Sequence, residues 1–82
     1  MFHKVKYVSA LPDYKLVAVF LEGVIKKYDM EDIMNSIPIF TDLKNDDDLY
    51  NSVSVGLGGY GIVWNDEIDI SCDELWEKGV RM

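Results

Sequence analysis

Cys72 is the only cysteine and His3 the only histidine, so thiolate chemistry would have to pair a residue near the N-terminus with one opening a C-terminal helix. A helix N-terminus can lower a thiol pKa, but Cys72 reads more readily as a small buried apolar residue, and no general base accompanies it in the local sequence. His3 reads as a free surface imidazole on a frayed terminus. The adjacent carboxylates Asp66-Glu67 and Asp73-Glu74 have the right chemistry for proton transfer, yet a turn accounts for the first pair and a helix capping box for the second. Catalysis has no evident site, and the chain is expected not to be an enzyme.

Two further motifs invite a ligand and are explained without one. Gly56-Leu57-Gly58-Gly59-Tyr60-Gly61 fits the G-x-G-x-x-G spacing. A dinucleotide site, however, needs the third glycine to open a helix whose amides meet the pyrophosphate. Here Ile62-Val63-Trp64 follows, β-branched and aromatic, so the segment reads as a glycine-rich hairpin. The run Asn45-Asp46-Asp47-Asp48 lacks the glycine and distal glutamate of a calcium loop and reads as a solvated loop leading into a helix N-terminus. A lone cysteine rules out both an internal disulfide and a zinc site of several thiolates in one chain. No cofactor or metal is expected.

The elements that must position these residues belong to one small domain, residues 1–82. The composition, 49% hydrophobic and 28% charged, is globular. No apolar run is long enough to cross a membrane and no apolar leader is visible, so a cytoplasmic location is expected. The formal charge of −7 argues against a direct grip on nucleic acid. That charge is unevenly spread. Residues 1–28 hold five lysines against Asp13 and Glu22, whereas residues 29–82 hold three basic residues against thirteen acidic ones. The acidic portion is either a face for a basic partner or a solvating and helix-capping surface.

Alternation over Lys4–Leu11, a Pro12-Asp13 turn, Tyr14–Glu22, a Glu22-Gly23 turn and Val24–Tyr28 predicts an antiparallel three-stranded meander. In its middle strand Leu16, Ala18 and Phe20 share one face, and Val17, Val19 and Leu21 the other, so both faces ask for burial. Asp29 is placed as the N-cap of a short helix over Met30–Asn35. Phe40 and Leu43 anchor an irregular stretch, and Asp46–Tyr50 can form one helical turn. A second hairpin is expected from Ser52–Leu57, with Val53, Val55 and Leu57 on one face, and Tyr60–Trp64. Ile68 and Ile70 point inward from a short extended segment, and a Ser71/Glu74 capping box opens a last helix that Gly79 stops. The fold class is α+β: a three-stranded meander, a second hairpin and two or three short helices.

Several clusters taken together resemble a family of small bacterial proteins known as domain of unknown function 2442. They are Leu16-x-Ala18-x-Phe20-x-x-Gly23, Tyr28-Asp29, Phe40-x-x-Leu43, and Ile62-Val63-Trp64 followed by Ile68-Asp69-Ile70-x-x-Asp73-x-Leu75. The resemblance implies a compact α+β domain without a catalytic motif. In some members a helix-turn-helix DNA-binding domain follows, and often another small protein is encoded alongside. This chain ends at Met82 without such a domain, so a regulatory role is expected to need a separate DNA-binding protein.

The expected function is therefore a non-enzymatic protein-interaction module, antitoxin-like, that pairs through its sheet with itself as a homodimer or with a small basic protein. The alternative is an accessory regulatory domain acting with a separate helix-turn-helix protein. The candidate interface residues are Val17, Val19 and Leu21, because so few helical residues are available that one sheet face can stay uncovered. Tyr60, Trp64 and Trp76 join them as large aromatics, with core packing as the competing assignment.

Overall fold

Val5–Leu11 (β1), Lys15–Phe20 (β2) and Ile25–Asp29 (β3) form the meander that their alternation demands, in a computed structural model that describes residues 2–82. Gly23 supplies the tight β2–β3 turn with φ of +90°, where a side chain would be strained. The β1–β2 reversal is less ordinary. Behind Pro12, both Asp13 and Tyr14 are left-handed, at φ 63° and 56°. Asp tolerates that region, but an aromatic residue there stores strain. The carbonyl of Tyr14 accepts from the Met30 amide, and its hydroxyl donates to the carbonyl of Lys44 at 3.1 Å, so later segments pin the turn.

The helices are short. Glu31–Ser36 (α1) begins where the Asp29 carboxylate accepts from the Glu31 amide at 2.9 Å, one residue later than expected, and carries buried Met34 with half-buried Ile33. The stretch read as irregular is ordered. A tight turn over Pro38–Phe40 runs into Thr41–Lys44 (α2), with Phe40 and Leu43 in the core as expected. Asp47–Asn51 (α3) is capped by Asp46, whose carboxylate accepts from the Leu49 amide.

A second sheet is built from Ser54–Val55 (β4), Gly61–Val63 (β5) and Asp69–Ser71 (β6), in that order and antiparallel. Gly58 and Gly59 turn the hairpin with positive φ, and a Cβ on Gly59 would press against the Val5 carbonyl. The β4 strand is shorter than its alternation predicts. Leu57 does not join Val53 and Val55 but lies fully exposed in the turn Leu57–Gly59.

Cys72–Lys78 (α4) starts at Ser71, whose hydroxyl accepts from the Glu74 amide at 3.2 Å. The return half of the expected capping box is replaced, because the Glu74 carboxylate accepts instead from the Tyr28 hydroxyl at 2.9 Å. Gly79 ends the helix by proximity rather than by positive φ: its φ is −69°, and a Cβ there would collide with the Leu75 carbonyl and crowd Lys26. Its chain then adds Val80–Arg81 (β7) to the first sheet, giving the order β1-β2-β3-β7. This fourth strand was not expected from the sequence.

The core lies on one side of the four-stranded sheet. Leu16, Ala18 and Phe20 of β2 meet Val5, Tyr28, Met30, Leu43, Ile62, Ile68 and Leu75 in a single core.

Candidate functional site

Strand register decides which residues the other side of the sheet presents. Tyr7 opposes Val19, which opposes Ile25, and Met82 donates its amide to the Ile25 carbonyl. One row along, Ser9, Val17, Lys27 and Val80 stand opposite one another, and the last row holds Leu11, Lys15 and Asp29. Opposed residues share a face. The outer face is thus graded. Tyr7, Val19, Ile25 and neighbouring Leu21 make an apolar end, and Lys27 with the Lys15–Asp29 pair, 3.5 Å apart, makes a charged end. Tyr7 and Leu21 are each 61% exposed and Val80 70%, while Val17 and Val19 are half-buried. Among the described residues no helix covers this face, because α4 lies against the inner side of β3 through Lys26 and Tyr28.

On the opposite side a groove of about 510 Å³ opens between α1 and α4. Tyr28, Ile33, Ile37, Phe40 and Ile70 supply its apolar lining. Three carboxylates, Asp32, Asp69 and Glu74, stand around it with Lys78 as the cation, while Asp29 reaches its edge with a carboxylate already engaged by Lys15 and the Glu31 amide. Among the described residues no three Asp, Glu, His or Cys side chains converge closely enough to hold a metal ion, so these carboxylates are dispersed. Glu74 is fixed by the Tyr28 hydroxyl, and burial followed by that carboxylate pushes the Tyr28 pKa well above the ordinary phenol range.

Lys26, buried in the inner face, is the strongest clue to how the acidic helix is held. Its ammonium donates to the Trp76 carbonyl in the last turn of α4 and lies 4.2 Å from the centre of the Trp76 ring. A cation at the carbonyl end of a helix is favoured by the helix dipole and by the indole face. His3 stacks on the same indole, with ring centres 3.5 Å apart, and its Nδ1 lies 2.8 Å from a Glu22 carboxylate oxygen. The imidazole is therefore engaged, not the free surface group expected.

The six candidate residues separate into different places. Val17, Val19 and Leu21 share the outer face with neighbours that sequence reasoning missed, namely Tyr7, Ile25, Val80 and Met82. Tyr60 is half-exposed, with Phe2 edge-on to its ring and the Lys4 ammonium 4.9 Å away. Trp64 takes the competing assignment, core packing, instead of a place at the surface. It is buried at 7% exposure, donates its indole N–H to the Tyr50 carbonyl at 3.0 Å and packs edge-on to Phe40. Trp76 is half-buried between His3, Lys26 and the edge-on ring of Phe20. Cys72 is almost fully buried, and burial first, then the charge of Asp73, raises its thiol pKa, the reverse of activation.

Among the described residues the architecture is an α+β domain with its four-stranded sheet covered on one side, and no helix is long and apolar enough to cross a membrane. The chain belongs to the family described as protein of unknown function (DUF2442), whose model matches residues 5–81. No curated protein and no solved structure matches it.

Proposed function

We propose that this protein is a non-enzymatic interaction module that pairs with a second copy of itself through the outer face of the four-stranded sheet. The observation that carries the reading is the continuous apolar strip of Tyr7, Val19, Ile25 and Leu21, flanked by Val17 and Val80, which no element among the described residues covers. Monomers seldom leave a contiguous apolar patch of this kind in water, and two such faces can stack as the layers of a sandwich. The charge on this face selects the occupant. Its cations are Lys15 and Lys27, joined by Lys6, whose ammonium lies 5.4 Å from the centre of the Tyr7 ring, and Asp29 is already paired with Lys15, so a basic protein finds no surplus of acid there. A second copy instead meets apolar end with apolar end, an isologous contact that closes on itself.

Light scattering on a size-exclusion column is expected to give twice the 9.4 kDa chain mass for the wild type and the single-chain mass for Val17→Lys/Val19→Glu. Leu21→Ser gives a second reading at a position whose exposure keeps the cost to folding small. A wild type that stays monomeric at the highest attainable concentration, or folded variants with unaltered mass, would overturn the reading.

A further inference from the structure

We infer that the groove between α1 and α4 is a second docking site, on the opposite side of the sheet, for a segment of a different protein that carries an arginine beside an apolar residue. The groove lies within the roughly 300–1,000 Å³ of ligand-sized sites, and at about 510 Å³ it admits side chains rather than a whole element. Its floor is apolar, from Ile33 and Ile37 over the buried ring of Phe40, and Ile37 is 44% exposed with nothing among the described residues closing over it. Around that floor stand Asp32, Asp69 and Glu74.

Two features of the groove choose the occupant. The carboxylates are dispersed instead of converging, which suits a broad planar cation with several donors better than a metal ion. The Tyr28 hydroxyl holds Glu74 by one oxygen, so this acceptor is pre-placed. Lys78, the one cation at the groove, sits at the end of α4 and sets a direction: the partner's basic residue belongs at the Asp32 and Asp69 side. The interior Lys26 plays no part, since the Trp76 carbonyl and ring already engage it. The occupant is thus basic and partly apolar, which a self-pairing through the sheet does not provide.

This site is independent of the sheet reading, and the test keeps them apart. A fluorescent capped peptide of alternating leucine and arginine is titrated into the intact protein and followed by anisotropy. The expected result is saturable binding weakened about tenfold by Asp32→Asn/Asp69→Asn and by Ile37→Ser, and weakened similarly when the peptide's leucines become serines. Asp47→Asn/Asp48→Asn removes the same charge from α3, outside the groove, and is expected to change binding less than about twofold. The monomeric Val17→Lys/Val19→Glu protein is expected to bind the peptide as the wild type does, whatever the outcome for the dimer. The proposal is overturned by an absence of saturable binding, by equal losses from the groove and α3 variants, which would mean simple attraction to an acidic protein, or by undiminished binding of the serine peptide. Full displacement of the peptide by spermidine at matched ionic strength would likewise replace a peptide site with a small-polyamine site.

Discussion

The two sides of β3 have opposite characters although they alternate residue by residue. Ile25, Lys27 and Asp29 face outward with the apolar strip, while Lys26 and Tyr28 face inward and hold α4 by the Trp76 carbonyl and by Glu74. The outward side belongs to the lysine-rich first third of the chain, and the inward side meets helices drawn from the acidic remainder. The difference teaches where the short helices are needed. A chain of 82 residues has enough helical surface to seal one side of its sheet, and an antiparallel sheet tolerates leaving the other side in contact with solvent or a partner. What is unusual is that the open side is apolar at one end instead of polar throughout.

The largest expected effect comes from truncating each side in turn. Phe20→Ala empties a fully buried site beside Trp76, and a loss of roughly 3–5 kcal/mol in unfolding free energy follows from cavity formation. Val17→Ala, on the next-but-two position of the same strand but on the open side, is expected to cost under about 1 kcal/mol in the isolated monomer, because little is packed against it. Urea denaturation of both variants in the Leu21→Ser background, which removes the contribution of self-pairing, measures the contrast. Equal losses would mean that the outer side is packed as tightly as the core and would remove the basis for calling it open.

A smaller effect tests the charged end of the same sheet, where the β1–β2 turn is tied down. The Tyr50 hydroxyl donates to the carbonyls of Leu11 at 3.2 Å and Lys15 at 2.5 Å, and burial pushes its pKa from 10.0 up to about 12. The folded state thus favours the protonated phenol. That stabilisation is fully present below the unfolded value near 10 and is lost as pH rises through the folded value near 12. Unfolding midpoints should therefore fall between about pH 10 and 12, and Tyr50→Phe should flatten part of that decline while lowering stability at neutral pH by about 1 kcal/mol for the lost bonds. Tyr28, raised in the same direction, contributes to the remaining slope. An alkaline limb unchanged in Tyr50→Phe would show that the turn is held by other contacts.

How much of this was legible in the sequence depends on how local the cause is. The meander, the Gly23 turn, the caps at Asp29 and Ser71, and the inward facing of Leu16, Ala18 and Phe20 follow from residues within a few positions of one another. The open side was legible as a strand with two apolar faces and too few helices to cover both. Its extent was not, because Tyr7, Ile25 and Val80 join it only through strand register and through β7, a two-residue strand with no periodicity to read. The groove was hidden for the same reason, being assembled from residues 28–40 and 69–78, which the chain brings together only at the tertiary level. Trp64 failed as a surface candidate because an indole N–H can be satisfied internally, here by the Tyr50 carbonyl, and nothing in the local sequence announces that acceptor.

The smallest effect concerns the N-terminal segment, where His3 spans from the Trp76 ring on the inner side to Glu22 in the β2–β3 turn. The hydrogen bond from His3 is the main cause that lowers the Glu22 pKa below its ordinary value of 4.5. A depressed carboxylate stabilises the fold above its unfolded pKa, and the contribution is lost as pH falls through the lower folded value, so the pair's contribution declines below about pH 4.5. Glu22 is exposed and solvent screens it, so the expected change in stability is near the limit of detection. The titration itself is the better readout. Carboxyl-carbon NMR of Glu22 should give a pKa below 4.5 in the wild type and a value returning toward 4.5 in His3→Ala, with the difference shrinking as salt is added. A Glu22 titration indifferent to His3→Ala would show that the imidazole is held by the indole alone and that the sheet's apolar end has no electrostatic tie to the N-terminus.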